Sequence, residues 1–150
     1  MTRISLFLDS SALFSGIASS QGAARALLLL GETDQISLII SEQVVTETER
    51  AVARKLPGVI NEFRRAVLSS KARIVSDPSG DEVQSNLDLI ADPTDVPILL
   101  AAMRSHADFL VTLNRRHFLE DPAVAERAGL PIGTPGDALS WVKSQLPGSQ

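Results

Sequence analysis

The chain has 150 residues, which fits one domain with one core, and its 44% hydrophobic but only 4% aromatic content calls for an aliphatic interior with few rings for stacking bases. It contains no cysteine, which excludes disulfides, thiolate metal sites and cysteine nucleophiles and suits a reducing compartment. A net charge of −4 argues against holding nucleic acid by bulk charge.

The run "ISLFL" at residues 4–8 reads as a buried strand ending at Asp9. It is too short for a secretory h-region, and no apolar stretch approaches the roughly 18 residues of a membrane span, so a soluble, cytoplasmic protein without a membrane partner is expected. Ser10 and Ser11 offer a helix cap, and a stronger helix is predicted over residues 22–30, closed by Gly31. "ISLIIS" at 36–41 is a second buried strand. Ser41 then caps a helix over 42–55, in which Val45, Val52 and Leu56 recur at helical spacing. Pro57 and Gly58 interrupt the chain before a helix over 59–70. A short strand over 73–75 follows, then a polar turn and a segment of ambiguous type up to Ile90. A helix is predicted over 94–105, with Pro97 tolerated in its first turn, where amide donors lack partners in any case. Residues 109–113 form a strand, "PIGTP" at 131–135 a last short one, and 137–146 a final helix. The expected organisation is a single domain over 1–146 with a frayed tail at 147–150.

Strands that are apolar throughout and alternate with helices imply an α/β fold, a parallel sheet covered by helices on both faces. Sites in such sheets lie beyond the carboxyl ends of the strands, at a topological switch point. Asp9 and Asn114 fall at two such ends. Glu47, in the helix after the second strand, and Asp95, at a helix start, can converge with them. Oxygen donors of this kind suit Mg²⁺ or Mn²⁺, and a cation relieves the mutual repulsion of crowded carboxylates. Each residue also has a plainer reading. Asp9 could cap a helix, Glu47 could be a solvated helix carboxylate, and Asp92 before Pro93 reads as an N-cap or a support for the ligands. Asp108 reads as an edge or turn residue. Ser10 and Thr112 could bond backbone or orient a ligand. Residues 42–75 carry seven Lys or Arg against four acids, whereas 76–95 carry six acids and no base. A basic surface beside an acidic focus suits a metal site that handles a polyanion; two solvated faces of opposite sign would look the same. Other chemistries lack their residues. There is no glycine-rich phosphate loop, Ser11 stands where an aspartyl phosphatase needs a second Asp, and a receiver-type acidic pair with a late lysine is missing. His106 and His117 lack partners at metal-ligand spacing and read as surface or satisfied histidines.

In order along the chain, "LFLDSSALFSG", "LIISEQVVTETERAV", "ADPTDVPILLAA", "ADFLVTLNRRHF" and "GTPGDAL" resemble PIN domains, in particular the VapC-like toxins of bacterial toxin–antitoxin pairs. The resemblance spans nearly the whole chain. It implies a three-layer α/β/α sandwich with a parallel sheet of four or five strands, and a Mg²⁺- or Mn²⁺-dependent ribonuclease acting on single-stranded RNA. Residue by residue it matches the family's acids to Asp9, Glu47 and Asp95, while the fourth acidic position falls on Asn114. An amide there brings no charge and is a poor base. Two outcomes stay open: a nuclease that works with three carboxylates, or a module that binds RNA or a protein without cutting. Hydrolysis of DNA or another phosphoester is a weaker third. Arg50, Arg54, Arg64, Arg65, Arg115 and Arg116 are candidate phosphate contacts. A toxin would imply a small cognate antitoxin. The apolar surface near residues 23–30 is a candidate homodimer face, which core packing explains equally well.

Overall fold

The computed structural model describes residues 3–146; the tail at 147–150 lies outside the described residues. Five strands, β1 (Ser5–Leu8), β2 (Ser37–Ser41), β3 (Arg73–Val75), β4 (Phe109–Val111) and β5 (Ile132–Gly133), form one parallel sheet in the order β3-β2-β1-β4-β5, with helices on both faces. Burial follows this order. Leu6, Phe7, Leu38, Ile39, Ile40, Leu110 and Val111 on the three inner strands are sealed, whereas the edge strand β3 leaves Arg73 and Ile74 exposed. The apolar runs are therefore those of strands covered on both sides, as the sequence implies.

Connections run outward from β1 to β2 to β3, then return across the sheet to β4 and β5. The strand order thus reverses between β1 and β4, which pair Leu6 with Phe109 and Leu8 with Val111. At their carboxyl ends the Asp9 amide donates to the Val111 carbonyl at 3.1 Å, and the Thr112 amide donates to the Gly133 carbonyl at 2.9 Å. The crevice where ligands bind in open α/β sheets opens here.

Most predicted elements are present, with informative differences at their ends. Helix α1 (Ser10–Ala18) is capped by Asp9 and not by Ser10 or Ser11, which lie inside its first turn. Helix α2 (Ala23–Glu32) runs past Gly31 instead of stopping at it. A Cβ on Gly31 would meet Leu38 Cδ1 and the Ser70 carbonyl at 2.7 Å, so this glycine serves close packing and not termination. Helix α3 (Glu42–Lys55) begins as expected, with the Ser41 hydroxyl accepting from the Val44 amide at 3.2 Å. A 3₁₀ turn (Pro57–Val59) leads into α4 (Ile60–Ser69). The ambiguous segment holds a short α5 (Gly80–Gln84), stabilised by a reciprocal Ser79–Glu82 capping box. The helix predicted from residue 94 divides into a 3₁₀ turn (Pro93–Asp95) and α6 (Val96–Arg104), because Asp92 and Pro93 start the turn before Pro97 enters the first turn of the helix. Between β4 and β5 lie two elements not foreseen, a π-helical turn (Arg115–Leu119) and α7 (Ala123–Ala128). Helix α8 (Pro135–Gln145) starts two residues before the expected Asp137, which is the third residue of a capping box with Thr134. No single helix among the described residues is long and apolar enough to cross a membrane.

Candidate active site

Asp9 is almost completely buried, at 4% exposure. Its Oδ1 accepts from the Ala12 amide at 2.9 Å and from the Ser11 hydroxyl at 2.7 Å, while Oδ2 accepts from the Thr112 hydroxyl. The sequence supplies this cradle locally: an aspartate at a strand end caps the helix that follows it, and the pairing of β4 with β1 brings Thr112 alongside. Thr112 is itself fully buried and links two loops, because its Oγ1 also accepts from the Asn114 amide at 2.9 Å. Burial pushes the Asp9 carboxyl above its ordinary range against these hydrogen bonds, and the charge of Asp95 pushes in the same direction.

Glu47 projects from the second turn of α3. Its Oε1 accepts from the Ser10 hydroxyl at 2.9 Å and its Oε2 from the Gln43 amide nitrogen at 3.0 Å. Gln43 was not singled out by the sequence; its spacing of four residues from Glu47 on one helix face is the signal that could have found it.

Asp95 closes the 3₁₀ turn and stands at the N-terminus of α6 without capping it through its side chain. It is 9% exposed, and its carboxyl is pushed up by burial and by the charges of Asp92 and Glu47, against the pull of His117. Asp92 caps the turn, its Oδ1 accepting from the Thr94 amide at 2.9 Å and the Thr94 hydroxyl at 2.7 Å, and these bonds hold its carboxyl below the ordinary range.

His117 belongs to this edge of the sheet, where the fold supplies two carboxylates that no metal-ligand spacing in the sequence offered it. Its Nδ1 lies 2.6 Å from Asp95 Oδ2, and its Nε2 lies 3.7 Å from Asp92 Oδ2. The shorter approach lacks the direction of a hydrogen bond, so Asp95 Oδ2 and His117 Nδ1 are both buried without a partner. Among the described residues, Asp92, Asp95 and His117 are the three metal-capable side chains that bring one donor atom each within 4.8 Å of the others.

Asn114 caps the π turn, its Oδ1 accepting from the His117 amide at 3.2 Å. The Asn114 side chain therefore fixes the segment carrying His117. Arg115 and Arg116 are exposed just beyond it, and Arg50 and Arg54 are exposed on α3. Arg64 and Arg65 are paired, with Glu49 at 3.2 Å and Glu62 at 3.4 Å, which makes them poorer phosphate contacts than their charge suggested. Asp108 binds the start of the sheet, its Oδ2 accepting from the Ser5 amide at 2.8 Å.

A parallel α/β/α sheet with clustered acids at its switch point defines a class of fold and site. A family profile described as PIN domain matches residues 5–116, and the chain belongs to the PIN domain family. No curated protein matches the sequence. Among solved structures, PAE2754 from Pyrobaculum aerophilum superposes with a TM-score of 0.65 at 17% identity, covering 95% of this chain and 91% of its own. VapBC2 from Rickettsia felis, solved bound to a DNA fragment from their promoter, superposes with a TM-score of 0.61 at 20% identity, covering 87% of this chain and 98% of its own. At such identities the likeness is one of fold.

Proposed function

We propose that this single-domain PIN protein is a divalent-metal-dependent nuclease that hydrolyses single-stranded RNA in the cytoplasm, as the toxin of a toxin–antitoxin pair. The observation that carries the nuclease reading is the state of Asp95. One carboxylate oxygen is buried without a directed hydrogen bond, and burial, with the charges of Asp92 and Glu47, disfavours its ionisation against the pull of His117. A cation satisfies that oxygen and offsets the repulsion, so the donor set fits a hard divalent ion. Asp9, Glu47 and Asp95, which as they stand do not bring three donor atoms within 4.8 Å of one another, would draw together to hold Mg²⁺ or Mn²⁺. The ion, when bound, supplies a Lewis acid for the phosphoryl oxygens and a more acidic water.

The remaining work falls to the chain's own residues. Thr112, Ser11 and the Ala12 amide fix both oxygens of Asp9, and Ser10 and Gln43 fix both oxygens of Glu47, so neither carboxylate has to be ordered when substrate arrives. Arg115 and Arg116 lie beside the end of β4 and would hold phosphates of the strand, with Arg50 and Arg54 as outer contacts. Such contacts set salt-dependent affinity and not sequence choice. Asn114 serves as a cap and positions His117, and it does not act as a base.

A second reading is favoured by one observation: the amide oxygen of Asn114 is committed to the His117 backbone, so an uncharged cap stands just beyond the end of β4. On that reading the chain binds RNA or a protein without cutting. The toxin role draws on the likeness to VapBC2 and on the sequence motifs, and it implies a cognate antitoxin. Ala24, Leu27 and Leu28 of α2 are consumed by this chain's own core, which leaves Leu29, at 48% exposure, as the centre of any homodimer contact there.

The test is cleavage of a labelled single-stranded RNA with Mg²⁺, with Mn²⁺ and with chelator, by the parent and by Asp9→Asn. Metal-dependent cleavage lost in the variant supports the nuclease. RNA retention without cleavage under every metal condition replaces it with the binding module, and cleavage undiminished in Asp9→Asn rejects the assigned carboxylates.

A further inference from the structure

We propose that Asp92, Asp95 and His117 form a nitrogen-containing cation position beside the carboxylates, and that the imidazole of His117 biases the protein toward Mn²⁺ and away from Mg²⁺. This inference rests on the metal-site reading above only through Asp95, which the two positions would share.

The three residues are positioned by their backbone independently of any ion. Asp92 uses Oδ1 to cap its turn, with Oδ2 facing His117. Asp95 follows on the same turn. His117 is carried by the π turn, whose backbone is tied down by the Asn114 side chain and anchored by the buried Phe118. The donors are therefore brought together by backbone geometry from two segments 22 residues apart in sequence.

The Asp95–His117 contact is an ion pair by distance but not by direction. A histidine and an aspartate that simply neutralised each other would share a directed N–H···O bond, which is the stable form of such a pair in a low-dielectric setting. Here Nδ1 and Oδ2 stand 2.6 Å apart without that direction, and both are sealed from water. Buried polar atoms left in this way are costly unless another species binds them. Adjacent donors on one octahedral ion stand about 3 Å apart and opposite ones about 4 Å; here Nδ1 and Asp95 Oδ2 stand 2.6 Å apart and would have to separate slightly, while all three donor atoms lie within 4.8 Å of one another. Small side-chain adjustments would bring them onto one centre.

Donor chemistry decides which ion. Mg²⁺ prefers oxygen ligands and retains its waters, whereas Mn²⁺, an oxygen-seeking ion at the weak end of the transition series, accepts an imidazole nitrogen more readily than Mg²⁺ does. A position of two carboxylates and one imidazole thus discriminates where an all-oxygen position does not. Beside it opens a cavity of about 480 Å³ lined by Asp92, Pro93, Arg116, His117, Asp121 and Val124. Arg116 there gives a phosphate a second point of attachment.

The experiment uses the full, tag-free chain loaded with Mn²⁺ and read by electron spin echo modulation, alongside calorimetry with Mn²⁺ and with Mg²⁺. Nitrogen modulation from a directly bound imidazole is expected in the parent, retained in Asp9→Asn and lost in His117→Gln. The Mn²⁺ to Mg²⁺ affinity ratio should fall about tenfold in His117→Gln, with Mg²⁺ affinity little changed. Bound Mn²⁺ without nitrogen modulation in the parent overturns this inference and leaves the carboxylate reading standing, a result that needs no variant to fold. Modulation that persists in His117→Gln also overturns it, since the nitrogen then comes from elsewhere. Failure of the parent to bind Mn²⁺ at all removes both readings together.

Discussion

Asp9 and Asp95 sit at the same edge of the sheet and are both buried, yet they stand in opposite circumstances. Asp9 is saturated: an amide and two hydroxyls donate to it, and it holds the first turn of α1 in place. Asp95 caps nothing through its side chain, and one of its oxygens is orphaned against an imidazole. The first is built into the scaffold and the second is left with unused coordinating capacity. Burying a carboxylate is unfavourable in either setting, so Asp9 is held in place by its own partners, whereas Asp95 carries a cost that a ligand can offset.

Substitutions at the two residues should separate these roles. The largest expected effect is on cleavage: Asp95→Asn should lower metal-dependent RNA hydrolysis by more than about 100-fold in single-turnover assays, since loss of a ligand exceeds loss of its supports. Next comes stability. Asp9→Ala removes the α1 cap and strands the Thr112 hydroxyl, and should cost about 2 kcal/mol or more in urea unfolding, whereas Asp95→Ala should cost less than about 1 kcal/mol. Equal losses at the two sites would dissolve the distinction. Thr112→Val keeps the shape of the side chain but deletes the donor to Asp9 and the acceptor for Asn114. It should destabilise by about 1–3 kcal/mol and slow cleavage by about 10- to 100-fold.

The smallest effect is one of pH. Asp9 and Asp95 both titrate above the ordinary aspartate value of 3.8 when folded. Stability associated with their protonated forms is complete below that value and is lost as pH rises through the raised ones. The melting temperature of metal-free protein should therefore climb by a few degrees on acidification from neutrality, and saturating Mn²⁺ should flatten the trend. Asp34 and Asp92 are held below 3.8 by their partners, so their opposing contribution begins only at that pH and below. A melting temperature that falls steadily from neutrality would contradict the burial of the two acids.

Legibility in the sequence followed the range of the interactions. The inner strands and α3 were readable because full burial demands unbroken apolar runs and because Ser41 and the helical stripe are local signals. The position of Asp9 was readable because its apolar run ends there, at the carboxyl end of β1. What escaped depends on neighbours distant in the chain. His117 meets Asp95 only through the sheet, and the π turn and α7 are five and six residues long, too short for a periodic pattern. Asn114 was read as a substitution in an acidic set, while its observed work is a cap whose partner lies three residues on. The sequence could have suggested that cap, since asparagine leads the residues that take this place.

The placement of β1 at the centre of the sheet also has a bearing on how the protein is made. Its first neighbour, β2, follows within 40 residues, but its second, β4, begins at Phe109. A nascent chain emerging from the ribosome thus presents Asp9 and Glu47 long before Thr112 and His117 exist to meet them. The acidic edge is completed only once synthesis has run more than 100 residues past Asp9, to Thr112 and His117. A prematurely terminated product would carry the first two acids on an unfinished sheet, unable to assemble the cluster.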